Sequence, residues 1–460
     1  MVALAGLADD GRVRTVAAPP GPAWGRLAAL RAFRRDPIGL LEELATYGDL
    51  VRVRVPGRDA FLLNHPDLVR DVFVTDHRAF HKGPTIQAAK MLLGESLLTS
   101  EGEHHHRQRR LIQPMFHHDR IASYADAMVR GAPRTAERWQ DGQELDVHAE
   151  MSSLTLSVVG ETLFGTDVDE ERSATVRRAL TDTLGMFDRV YSPLFRLLTR
   201  MPSLTMRRFR RVESDLNEVI GAMIDERRAT GATGDDLLSV LLRASEDGVG
   251  MRDEQVRDEA LTLFLAGHET TSIALAWTWW LLALNPVVEA RLHGELDALD
   301  GEPTVEELPR LVYTRAVLDE SIRLRPPAWA IGRNAVADHR AGEFAIPSGS
   351  VVVVSPWLLH HDERWWPDAA AFRPERWLSD RPDASRFAYV PFGGGPRRCI
   401  GEPFALMEGT LILATIARRW RFRIVSDEPP ALQPVVTLRP RGGLRMLAER
   451  RPVGATGTPR

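Results

Sequence analysis

The sequence predicts a mainly α protein with small β-sheets, an α+β fold in which helices dominate. Three observations carry this. The apolar periodicity is mostly helical from Leu68 to Arg243. A single apolar stretch of helical length runs from Asp253 to Asn285 and stops near Pro286. Alternating apolar and polar runs are few and short.

Taken in order, residues 1–18 read as a flexible N-terminal tail, with Asp9, Asp10 and Gly11 inside it. Pro19 to Pro22 lead into helical material. Leu50 to Leu63 read as a hairpin. Val51, Val53 and Val55 alternate with arginines, Pro56-Gly57-Arg58-Asp59 turns the chain, and Phe61 to Leu63 return. Ser192-Pro193 and Met201-Pro202-Ser203 break the helical region into shorter pieces. Leu311 to Leu324 form a further helix, stopped by Pro326-Pro327. Phe344 to Ser355 are strand-like around a Pro347-Ser348-Gly349 turn. Arg364 to Asp383 are rich in proline and tryptophan and irregular. Phe404 to Trp420 form a helix, Thr437 to Leu447 a last hairpin, and 451–460 a C-terminal tail.

The chain is 44% hydrophobic and 27% charged, ordinary for a globular protein with a large core. No flexible linker or internal repeat divides it. A net charge of −4 argues against nucleic acid as a partner. No apolar run of signal or anchor length occupies Met1 to Arg14, so no membrane anchor is predicted. Leu261 to Leu284 are apolar enough to raise a membrane reading. His268, Glu269, Thr270, Thr271 and Ser272 sit near the centre, where polar groups are costly in lipid. A long buried helix with a polar notch fits better.

Cysteine occurs once, at Cys399, within Phe392-Gly393-Gly394-Gly395-Pro396-Arg397-Arg398-Cys399-Ile400-Gly401. It cannot form an intrachain disulfide, which fits a reducing cytoplasm. Glycines let the backbone approach a flat partner, and adjacent arginines favour a thiolate. A thiolate so placed is a good axial ligand for haem iron. A buried structural cysteine is the plainer alternative, but it leaves the glycines and arginines unexplained. In the apolar helix, Ala266 and Gly267 are small enough for a flat group to press on. Glu269 and Thr270 follow at once and must find partners. A local helix distortion would supply them. Glu320 and Arg323 are three apart on one helix face. His104, His105 and His106 point different ways around a helix, which argues against a metal cluster there.

The cysteine string resembles the haem-binding loop of the cytochrome P450 family, Phe-x-x-Gly-x-Arg-x-Cys-x-Gly. Phe392, Gly395, Arg397, Cys399 and Gly401 stand at its fixed positions. Ala266 to Thr271 resemble the family's oxygen-activation motif, and Glu320-Ser321-Ile322-Arg323 its Glu-x-x-Arg pair. The resemblance spans roughly Pro37 to Leu447 and implies one cytochrome P450 domain over 19–450. It implies haem b with Cys399 as thiolate ligand. Phe392, Gly393, Gly401, Ala266 and Gly267 would line the ring, and His105, Arg109, Arg333 and Arg397 would hold its propionates. Position 105 departs from the pattern, since many members carry tryptophan there. Thr270 would hydrogen-bond the dioxygen being reduced, and Glu269 would relay protons from solvent. Glu320, Arg323 and Arg376 would form a structural trio.

The implied activity is monooxygenation of a lipophilic small molecule with O2: a terpenoid, fatty acid, steroid or polyketide. Ile86, Met91, Leu92, Phe264, Trp329 and Ile331 are the expected pocket wall. Leu194, Phe195, Leu197, Leu198 and Met201 would belong to a lid over the entrance. Electrons would come from a separate ferredoxin and ferredoxin reductase, docking on a basic face of Arg107, Arg110, Arg397 and Arg398. Rivals stay open. One is a haem enzyme doing peroxide-driven or non-oxygenating chemistry, against which the Glu269-Thr270 pair argues. Others are a non-enzymatic haem-thiolate sensor and a haem-free helical protein.

Overall fold

The computed structural model describes residues 5–7, 13–15, 18–165, 172, 175–176, 178–179, 204–231, 234, 236–243, 245–246, 249–379, 383–426 and 428–451. The expected lid residues Leu194 to Met201 lie outside them. Within the expected N-terminal tail, Ala5–Leu7 and Val13–Thr15 pair as an antiparallel hairpin.

The central helix, Asp253–Leu284, organises the fold. Asp253 and Glu254 complement the helix dipole in its first turn. Pro286, which cannot continue the hydrogen-bond ladder, stops it after Leu284. It is buried nearly all round and so carries apolar residues on every face. Helices packed on it include the flanking helix Val147–Phe164, the Glu-Arg helix Val312–Leu324, the helix Leu204–Ala229 and the last helix Glu402–Ala417. Among the described residues, no single helix is long and apolar enough to cross a membrane.

The Leu50–Val55 and Arg58–Leu63 hairpin forms as the alternation predicts and belongs to a five-stranded sheet. Val351–Val354 pairs parallel to Arg58–Leu63 on one side and antiparallel to Ile331–Ala335 on the other, and Phe80–Lys82 closes the edge. The strand-like stretch Phe344 to Ser355 forms two strands around its turn, and the expected last hairpin needs correction. Phe344–Ile346 and Val351–Val354 enter different sheets, the first pairing with His339–Ala341. The Pro-Ser-Gly turn, with Gly349 at φ 83°, passes the chain from one sheet to the other. Thr437 to Leu447 is no hairpin. Leu438–Pro440 pairs with Leu432–Pro434, while Arg445–Arg450 pairs with Trp420–Ile424 and Gln143–Asp146. That last sheet starts three residues after the last helix ends at Ala417.

Candidate active site

Cys399 ends a loop whose shape the glycines set. Gly395 has φ 65°, and a Cβ there would lie 1.8 Å from the carbonyl oxygen of Phe73. No other residue type fits that crossing. The Cys399 N–H donates to Phe392 O at 2.9 Å and closes the loop. The chain then enters the last helix, so the N–H groups of Gly401 and Glu402 reach the sulfur and favour the thiolate. Cys399 keeps open surface, but the protein packed around its sulfur pushes the thiol upward, and that effect is the largest.

The flanking arginines are each taken up by a carboxylate, although Arg398 still interacts with the Cys399 charge. Arg397 pairs with Glu101, and Arg398 with Glu402 at 2.5 Å. Arg109 is the cation that favours the thiolate, and its Nη1 donates to Arg398 O at 2.9 Å. The expected basic face shrinks accordingly: Arg397 turns inward to Glu101, with its side chain 14% exposed.

In the central helix, Leu263, Ala266, Gly267 and Thr270 share one face at helical spacing. Ala266 is exposed and Gly267 and Thr270 are half-buried, an opening in an otherwise enclosed helix. The expected distortion is absent. The helix runs unbroken from Asp253 to Leu284. Its hydroxyls bond back along the helix instead: Thr270 Oγ1 to Ala266 O (3.0 Å), Thr271 Oγ1 to Gly267 O (3.3 Å) and Ser272 Oγ to Glu269 O (2.9 Å). Gly267 also answers to the flanking helix, since a Cβ would meet Val159 Cγ2 at 3.1 Å. Glu269 leaves the open face. It forms an ion pair with Arg439 and accepts from Thr437 Oγ1 at 3.0 Å. Burial works to raise its carboxyl, but Arg439 prevails and holds it below the usual range.

A cationic cluster gathers near Arg397. Arg333 is buried, lies 5.1 Å over the Phe73 ring, and is pushed down to about 10 by burial and by Arg397. His105, in the helix Gly102–Ile112, is buried and pushed down to about 3 by burial, then by Lys82 and Arg397. It is therefore neutral. Sequence reasoning missed Lys82 and Glu101. Lys82 Nζ donates to Leu97 O (2.7 Å) and Ser100 O (3.1 Å), and burial pushes it down to about 7. Glu101 accepts from Lys82 N at 2.6 Å while pairing with Arg397. The signal was faint: Lys82 is one of two lysines among 59 cationic residues.

Glu320 and Arg323 are fully buried and doubly bonded, Nε to Oε2 and Nη2 to Oε1, both 2.9 Å. Arg376 Nε adds 2.9 Å to Oε1. Trp377 Nε1 adds 2.8 Å to Oε2, and Arg323 Nη1 reaches His360 O and Ala369 O. Every lone pair and N–H of the ion pair is thus engaged.

Three expected wall residues belong to the core instead. Phe264 is fully buried edge-on to Phe164, with ring centroids 5.3 Å apart. Leu92 is buried in the same cluster. Trp329 packs with Leu438 and Trp357, its Nε1 donating to Val435 O. Met91 points outward, 41% exposed. Ile86 and Ile331 are half-buried. Ile331 Cδ1 would lie 3.9 Å from a Cβ on Gly393, beside the cysteine loop.

The defining sequence pattern of the family Cytochrome P450 matches residues 18–446. The chain belongs to the cytochrome P450 family. Among its relatives is the cyclooctat-9-en-7-ol 5-monooxygenase of Streptomyces melanosporofaciens, 42% identical over 86% of this chain and 87% of that one. Cyclooctatin synthase of the same organism is 40% identical over 95% and 96%. Pentalenene oxygenase of Streptomyces avermitilis is 36% identical over 85% and 88%. This P450 is a monooxygenase of lipophilic small molecules, using O2 and redox partners.

The family carries a haem held by a thiolate, and the residues present fit that group. Arg397 Nη1 is buried without a partner among the described residues, as a donor awaiting an anionic group. Arg333 and Arg109 add positive charge near it. Cys399 and Ala266 are both exposed, so the cysteine loop and the central helix each keep an open face.

Proposed function

We propose that Cys399 is the axial thiolate of haem b in this P450, and that the enzyme oxygenates a carbocyclic terpenoid. The observation that carries the first part is Cys399, an exposed residue set at a helix N-terminus by a loop that only glycine can form at 395. Coordination to iron would deprotonate the thiol despite its burial. The haem, when bound, supplies O2 reduction and insertion of one oxygen atom into the substrate.

The chain's own residues supply the rest. Arg397, Arg333, Arg109 and neutral His105 bind and orient the propionate edge with charged and neutral donors. Phe392, Gly393, Gly401, Ala266 and Gly267 press against the ring faces. Thr270 presents its hydroxyl on the open face, and Glu269 holds a carboxylate one residue away for proton delivery. Glu320, Arg323 and Arg376 keep the cysteine loop's support rigid.

The terpenoid assignment rests on the relatives, whose names denote oxidation of cyclooctat-9-en-7-ol and pentalenene. Ile86 and Ile331 remain the wall residues this reading retains. Electrons come from a separate ferredoxin and ferredoxin reductase, in the cytoplasm, where a lone cysteine stays reduced. The test is a ligand screen by absorption spectroscopy, followed by turnover with a surrogate ferredoxin system. Carbocyclic terpene alkenes and alcohols should displace the resting spin state and yield hydroxylated products. A response to linear fatty acids alone would overturn the assignment.

A further inference from the structure

Glu269 is only 10% exposed, so a proton reaching it must first cross the protein. Arg439 and Thr437 touch it, and His268 and His148 lie close enough to act on its charge. Arg439 cannot give up a proton at working pH and so cannot relay one. His268 is fully enclosed. Its Nδ1 lies 2.9 Å from Phe264 O, which can only accept, so Nδ1 carries the hydrogen and Nε2 is a bare acceptor.

His148 differs. It stands in the first turn of the flanking helix, whose N-cap Asp146 accepts from His148 N (3.1 Å) and Ala149 N (3.3 Å). Asp146 also accepts from Leu444 N at 2.9 Å, fixing this turn to the C-terminal sheet. The residue is half-buried, so part of it meets solvent. Its Nε2 is fully buried and, like His268 Nε2, has no partner among the described residues. Two unpartnered buried ring nitrogens, on histidines that act on the charge of one buried ion pair, make an unusually polar pocket of the core. Burial keeps both imidazoles neutral, against the pull of Glu269.

We propose that His148 is the solvent-side station of the proton relay that runs through Glu269 to Thr270. It takes a proton from solvent at one ring nitrogen and releases the other nitrogen's proton inward, with no net change of charge. His148 acts through Glu269 and touches no reacting atom, so it is a positioning residue for the path. The proposal rests on the roles given to Glu269 and Thr270 above.

The test compares His148→Gln, which keeps a polar side chain but cannot shuttle, with the wild-type holoenzyme. Product and hydrogen peroxide per NADPH are measured from pH 6 to 9, in H2O and D2O, with a surrogate ferredoxin system. His148→Gln should lower product per NADPH by about 3–10-fold, less than a direct acid–base group would. Peroxide should rise in proportion, with an altered pH profile and solvent isotope effect. Thermal unfolding gives a readout without turnover: the effects of His148→Gln and Glu269→Gln should be non-additive. Unchanged partition across the pH range, or additive unfolding, would overturn the relay. His148→Asn serves if His148→Gln fails to load haem. A Glu269→Gln enzyme with wild-type partition would instead overturn the Glu269 role itself.

Discussion

At the scale of single residues, burial decides charge state more often than neighbours do. Cys399 shows this, since burial raises its thiol despite two adjacent arginines, each of which is engaged by a carboxylate. Glu408, in the last helix, is the sharper case. It is fully buried, and both its oxygens lack a hydrogen-bond partner among the described residues. The Thr271 hydroxyl beside it is bonded to Gly267 O. Burial pushes this carboxyl well above its usual range, so it is protonated when folded. A raised folded-state value gives stability that is present below the unfolded carboxylate range and lost as pH rises. Glu408→Gln removes that loss. It should raise stability at pH 8 by about 1–3 kcal/mol and do little at pH 4. Denaturant unfolding at the two pH values measures the difference.

At the scale of elements, local signals were legible and distant pairings were not. The central helix could be bounded to within a residue because Pro286 stops it and the apolar run is unbroken. The glycines at 393–395 signalled a close backbone approach, which the structure shows at Gly395 against Phe73. The pairing of Val351–Val354 with Arg58–Leu63, and of Arg445–Arg450 with Gln143–Asp146, joins segments about 300 residues apart, which alternation cannot reveal. The tie between Glu269 and Arg439 spans 170 positions and left no local mark. Two predictions belong here. Gly395→Ala should abolish haem retention, because its Cβ would meet backbone at 1.8 Å, which no side-chain shift relieves. The haem-to-protein absorbance ratio of the purified variant reads this. Replacing Glu320 or Arg323 singly should cost about 3–5 kcal/mol, because the partner is left charged and buried. Replacing both with apolar residues of similar size should cost less than either single change, as read by thermal unfolding.

At the scale of the whole molecule, the buried histidines set the response to acid. His105, His148, His268, His293, His339 and His361 are all pushed down, burial being the largest cause for each. A depressed histidine contributes stability that is present above its unfolded value of 6.5 and lost as pH falls. Glu259, Glu289 and Glu408 are pushed up and oppose this between pH 4.5 and their folded values. Six histidines outweigh three carboxyls, so the unfolding midpoint should drop as pH falls from 6.5 toward 5. A midpoint that rises over that range would contradict the burial account.

Thiolate ligation by Cys399 is read from the absorption spectrum of the reduced protein exposed to CO, for wild type and Cys399→His. The account predicts a strongly red-shifted Soret band for wild type, the mark of thiolate ligation. It predicts a band typical of a neutral ligand for the variant. A wild-type spectrum of the neutral-ligand type, or a colourless protein, would contradict it.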